Sequence, residues 1–323
     1  MIKPKSKQRI PSCIPSKKTL TSLLLTAGVF QLPLTAELLV YEGFSGYAAG
    51  DISGQAATGT GLTGNWSKRA GESGVTSYTN SGLTFGSLAT SGGAASLLTG
   101  YKNTSVVGVE MNLSSSVTGT LYSSMLFNFS NFDGNDGSLT GMRISDDIES
   151  TSNVRLSTYA DHQESANANP AVAYDDGRTS SLQSLSENTT YMAISIFTNV
   201  GKDLSLETGV GSVYVLTEAQ FEDFVANGRS EANLTGRATG SGADQIIAFA
   251  SDSRGSGTYS FNDGNFMGLS SYGDANQNLA GTYDELRWST DLDSVAVIPE
   301  PGTLALAGGL SALALVLFRR RRR

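Results

Sequence analysis

The sequence predicts a mainly β fold, an antiparallel sandwich with one short helix, for the middle of the chain, residues 37–296. Three observations lead there. The 323 residues include 37 glycines in a texture rich in Ser, Thr and Asn, which favours turns and short strands over long helices. Several short stretches alternate or concentrate apolar and β-branched residues. Between them lie Gly/Asn/Asp turn segments such as FDGNDGS at 132–138 and NDGN at 262–265.

The strands follow in order. Leu38–Tyr41 is an apolar opening strand ahead of a Gly-rich turn. SVVGVEMNL at 105–113, LYSSMLFNF at 121–129 and NVRLSTY at 153–159 come next. YMAISIFTN at 191–199 sets Met192, Ile194 and Ile196 on one face. SVYVL at 212–216, QIIAFA at 245–250 and TYDELRW at 282–288 complete the series. The helix starts at Thr217, whose N-cap hydroxyl and Gln220 three residues on make a capping box. Phe221, Phe224 and Val225 share one face, Glu218 and Glu222 suit the N-terminal end of the dipole, and Gly228 ends it. Such a helix is expected across an edge or loop of the sandwich. No repeat of fixed period is present.

Charge divides the chain into three. Residues 1–36 hold six basic residues and no acid, and 319–323 are five arginines. The stretch 37–298 holds 11 basic and 29 acidic residues, a net charge of −18. A body this acidic repels nucleic acid and favours solubility or cation binding.

The cationic start leads into an apolar run, Leu20–Phe30, then Pro33 and a small residue, Ala36. This is the pattern of an export signal, 1–36, cut after Ala36. The run is shorter than the roughly 20 residues that a membrane span takes. Cys13 is the chain's one cysteine, so a chain cut after Ala36 can form no disulfide and no thiol site.

The tail, 297–323, has three unlike parts. Pro299, Glu300 and Pro301 hold an extended segment that cannot join a helix. Gly302–Phe318 carries no charge and as a helix would cover about 26 Å, close to a hydrocarbon core. Arg319, Arg320, Arg321, Arg322 and Arg323 form a cytoplasmic stop by the positive-inside rule. That order, at the C-terminus, resembles the PEP-CTERM sorting signal of exported proteins of Gram-negative bacteria. The resemblance covers about 25 residues. It implies a membrane-embedded exosortase that recognises the motif and processes the tail, a transient stay in the inner membrane, then the cell surface or medium, often with exopolysaccharide or biofilm. A permanent C-terminal anchor is the alternative.

The body is similar to the LamG-type, concanavalin A-like jelly rolls of PEP-CTERM proteins. The likeness rests on LLVYEGFSGYAAG at the start, the strand 191–199 leading into SVYVL, and YDELRWSTDLDSV before the tail. It implies a two-sheet jelly roll whose first and last strands lie close together. It implies no activity, since such folds serve lectins, adhesive modules and glycan-cleaving enzymes alike.

Signals for catalysis are thin. GTGLTG at 59–64 matches a dinucleotide loop in spacing, but NWSKRAGESG after it reads as loop where a helix is required. His162 is the one histidine, in a surface-loop context, and no G-x-S-x-G elbow exists to partner it. Asp146–Asp147, Asp175–Asp176, Glu222–Asp223 and Asp284–Glu285 are adjacent pairs. On a regular strand such neighbours face opposite ways, so they read as solvated loop charges rather than a glycosidase pair. Asp133, Asn135 and Asp136, among glycines, offer oxygen ligands for Ca²⁺, though the spacing departs from an EF-hand and ordinary Asx turns are the preferred reading. Six N-x-S/T sequons, at Asn65, Asn103, Asn112, Asn128, Asn188 and Asn233, are expected from composition alone.

The expectation is an exported, non-catalytic surface or matrix protein, carrying polysaccharide-associated or carbohydrate-binding function and sorted through its tail. A secreted glycan-active enzyme on the same fold is the alternative.

Overall fold

The computed structural model describes residues 38–296, apart from 72–74, 87, 89, 91, 99–103, 114–116, 131–138, 146–153, 162–168, 175–178, 181–184, 240–247, 256–265 and 273–279. Ala36, the tail with Pro299, Glu300, Pro301 and Arg319–Arg323, the Asp133/Asn135/Asp136 loop, Asp146–Asp147, Asp175–Asp176 and His162 therefore lie outside the described residues.

The first strands are β1 (Leu38–Glu42), β2 (Gly50–Asp51), β3 (Leu62–Lys68), β4 (Val75–Thr79) and β5 (Ala94–Leu98). Next come β6 (Thr104–Met111), β7 (Gly119–Ser130), β8 (Leu139–Ser145), β9 (Val154–Asp161), β10 (Asn169–Tyr174) and β11 (Thr179–Ser180). After β12 (Tyr191–Val200) and β13 (Gly209–Leu216) stand two helices, α1 (Glu218–Ala226) and α2 (Glu231–Thr239). β14 (Ala248–Arg254), β15 (Phe266–Tyr272), β16 (Ala280–Ser289) and α3 (Leu292–Ala296) close the chain.

The strands form two antiparallel sheets. One runs β14-β13-β12-β7-β16-β5-β4-β2, with β1 also paired to β16; the other runs β11-β10-β9-β8-β15-β6-β3. The first strand thus pairs directly with the last, Glu42 opposite Leu286 and Tyr41 opposite Arg287. Between the sheets lies a core that includes Val107, Met142, Leu156, Val172 and Met267 from one side and Phe127, Ala193, Phe197, Val213 and Tyr283 from the other. Alternation along each strand puts these side chains inward and their neighbours outward.

Met192, Ile194 and Ile196 do share a face, but it is the outward one. It meets Phe221, Phe224, Leu234, Leu292 and Val295 in a second apolar layer, so α1 packs on a sheet face rather than an edge. β12 is buried on both sides because helices cover what solvent would otherwise reach. The capping box of α1 forms as expected, and Gly228 takes a left-handed φ of 78° just past the Asn227 C-cap. Val225, expected on the buried face, is exposed.

The stretch after GTGLTG is not a loop: Asn65–Lys68 belong to β3. The glycines there serve close backbone approach. A Cβ at Gly59 would overlap the Tyr41 carbonyl oxygen, and one at Gly61, where φ is 70°, would overlap that of Leu39. The free side of β3 is covered by its own preceding segment, through Gly54 N–H to Trp66 O at 2.7 Å and Trp66 N–H to Gln55 O at 2.9 Å. That closes an edge which would otherwise invite strand addition.

Candidate functional site

Two places hold polar groups that the fold has taken out of water. The first is where β1 meets β16. Glu42, Asp284, Glu285 and Arg287 are all 0–1 % exposed. This overturns the reading of Asp284–Glu285 as solvated loop charges. The register of β16 against β7 shifts between Asp284 and Arg287, and Glu285 sits at φ 53°, a bulge that breaks the simple alternation.

Each charge at this junction has protein partners. Asp284 accepts from Leu83 N–H (2.9 Å) and Glu285 N–H (2.8 Å). Glu285 pairs with Arg287 at 2.9 Å. The guanidinium also reaches the Ser294 carbonyl of α3 at 3.4 Å and lies 4.6 Å over the Tyr41 ring. Glu42 accepts from Phe44 N–H (2.7 Å) and Tyr47 O–H (2.6 Å), and Trp66 Nε1–H donates to the Tyr47 oxygen at 2.8 Å. Burial raises the proton affinity of Glu42 despite these donors. Burial and the Glu42 charge push the Tyr47 hydroxyl up to about 12. Asp284 is pushed up to about 8, first by burial and then by the Glu285 charge. Chemically this is a junction that ties both ends of the described chain together.

The second place is the outward face of the β11-to-β3 sheet. One cross-strand row runs Ala173, Ser157, Arg143, Gly268, Gly108. The residues flanking each of them point into the inter-sheet core, so this row points away from it. Small residues leave room for the Arg143 side chain to cross β15: its Nε lies 3.6 Å from where a Cβ on Gly268 would stand. The hydroxyls of Ser157 and Ser270 and the side-chain oxygen of Asn169 are buried with no hydrogen-bond partner. A buried polar atom left so costs about 1–3 kcal/mol.

Sequence reasoning missed both places. Arg143 and Ser270 sit in Gly/Ser-rich strands without a strong period, and Ser157 in the strand NVRLSTY was not singled out. Glu42 and Arg287 sat inside the fragments that carried the jelly-roll likeness. Charged residues wedged between Tyr283 and Trp288 on an apolar strand were the available signal. Among the described residues no group of three or more His, Cys, Asp and Glu is placed to hold a metal ion. No helix among them is long and apolar enough to cross a membrane.

No family model and no curated protein matches this chain. Among solved structures it is similar to the carbohydrate recognition domain of Emp47p, at 10% identity and TM-score 0.38, covering 78% of this chain and 94% of that one. It is similar to the cellulose-induced protein Cip1, at 10% identity and TM-score 0.37, covering 70% and 91%. Lectin II from Ulex europaeus matches at 8% identity and TM-score 0.34, covering 70% and 93%. Likeness this loose transfers no function to the chain.

Proposed function

We propose that this is an exported, non-catalytic surface or matrix protein: a concanavalin A-like jelly-roll body that binds polysaccharide and is sorted through a PEP-CTERM-type tail. The observation that carries the reading is the order of the tail: Pro299–Glu300–Pro301, then the uncharged Gly302–Phe318, then Arg319–Arg323. It stands beside a two-sheet antiparallel body whose first strand pairs with its last. An exosortase-type enzyme and the inner membrane are the transient partners.

The test is a glycan array probed with the full-length chain in detergent, followed by product analysis on any polymer bound. The expected result is binding without shortening of the polymer. Loss of polymer on incubation would establish the enzyme alternative instead. Binding to no glycan on the array would contradict the polysaccharide-binding part of the reading.

A further inference from the structure

Two structural demands meet at the turn between α1 and α2, and together they create a reactive step in the chain. Residue 228 takes a left-handed φ of 78° just past the end of α1, a conformation that favours glycine. Residue 227 is the C-cap. Its side-chain amide donates to the Asp223 carbonyl oxygen at 2.9 Å and to Asp223 Oδ1 at 2.8 Å, which an ionised carboxylate could not do. The outcome is Asn227–Gly228, the one Asn-Gly step in the sequence, and both residues are exposed. Glycine has no Cβ to shield its amide nitrogen, so that nitrogen can reach the asparagine side-chain carbon more readily than at any bulkier residue.

The Asn227 amide belongs to a closed ring of polar contacts. Asp223 pairs through its other carboxylate oxygen with Arg237 of α2. Arg237 Nε donates to Asn233 Oδ1, and Asn233 Nδ2 returns to the Asn227 carbonyl oxygen at 3.3 Å. Asp223 and the Asn227 cap belong to α1, Asn233 and Arg237 to α2, so the ring clasps one helix to the other. It also keeps the reacting atoms from meeting. Asn227 is held at φ −97° and ψ 19°, and the Gly228 N–H is turned back to the Val225 carbonyl at 3.4 Å. Ring closure between them requires that N–H and the side-chain amide to be released and the Asn227 backbone to turn.

We propose that Asn227 is a deamidation site gated by the clasp between α1 and α2, and that its reaction opens that clasp for good. The Gly228 nitrogen attacks Asn227 Cγ and gives up its proton, the side-chain nitrogen leaves as ammonia, and a succinimide closes. Water then adds to either imide carbonyl and breaks its bond to nitrogen, giving aspartate or isoaspartate; the sum is water in and ammonia out. Either product sets a carboxylate where a donor stood, against the Asp223 carboxylate and carbonyl oxygens. Isoaspartate also lengthens the backbone of the turn by a methylene. Leu234 in the apolar layer, Glu231 at Tyr122 and Thr235 at Tyr214 still seat α2 on the sheet, so the change loosens the helix layer over β12 and does not unfold the body.

Incubation of the full-length chain in detergent at mildly alkaline pH, followed by peptide mass spectrometry that separates aspartate from isoaspartate, tests it. Asn227 should convert ahead of the other asparagines, and at least about tenfold more slowly in the folded chain than in urea, because closure waits on local opening. Arg237→Ala and Asn233→Ala each remove one link of the ring, and each should raise the folded rate about three- to tenfold. Asn227→Asp makes one product directly. It should lower hydrogen-exchange protection over 231–239 by about three- to tenfold while β12 stays protected. No conversion at Asn227 in the folded chain, a folded rate equal to that in urea, a rate that neither ring variant changes, or unaltered α2 protection in Asn227→Asp would each overturn the proposal.

Discussion

Arg287→Ala should destabilise the body by about 3–5 kcal/mol, because it strands a buried carboxylate without its cation. Arg287 and Glu285 are each 1 % exposed by side chain and 2.9 Å apart, so water cannot take over the lost interaction. The guanidinium also donates to Ser294 and covers Tyr41, and both contacts go with it. A double variant, Arg287→Met with Glu285→Gln, should recover most of the loss, since removing both charges removes the stranded one. Urea unfolding of the two variants beside the wild type reads this directly. A loss below about 1 kcal/mol in Arg287→Ala would mean that the pair is hydrated and not buried as described.

Trp66→Ala should cost a similar amount, about 3–5 kcal/mol, for a different reason. Trp66 is 1 % exposed, its ring centroid lies 5.9 Å from that of Phe44, and its indole N–H holds the Tyr47 oxygen that in turn serves Glu42. Truncation opens a cavity and leaves the Glu42–Tyr47 pair one donor short. Trp66→Phe keeps most of the volume and loses the donor, so its cost should fall to about 1–2 kcal/mol. Equal losses in the two variants would show that the hydrogen bond, not the packing, holds this corner. The measurement is again the urea midpoint at constant slope.

Strands with a clear period were legible in the sequence. β6, β7, β9, β12, β13 and β16 fall where alternation or β-branched runs placed them, and the likeness that put the first strand beside the last is matched by the β1–β16 ladder. β3, β5, β8, β10 and β15 were not legible. LTGNWSK, AASLL, LTGMRIS, NPAVAY and FMGLSSY are short and rich in Gly, Ala, Ser and Thr, so neither face shows a strong contrast. They become strands because their neighbours supply the ladder. The helix layer was only partly visible: α1 declares its cap, but α2 has a weaker pattern and α3 is five residues long. The buried acids were hidden by a sound general rule. Carboxylates are usually exposed, and a bulge that overrides strand alternation cannot be read from composition.

The central claim is that the folded body is delivered by segments that do not stay with it. Intact-mass measurement of the mature protein recovered from the outer layers or medium of the native cell tests that most directly. The account predicts a chain that begins just after Ala36 and ends upstream of Arg319–Arg323 with the apolar span gone. Replacing Pro299, Glu300 and Pro301 by alanine should hold the protein in the inner membrane, heavier by its tail, because helix can then propagate through the grip site. A surface-located chain still ending at Arg323 would contradict the account.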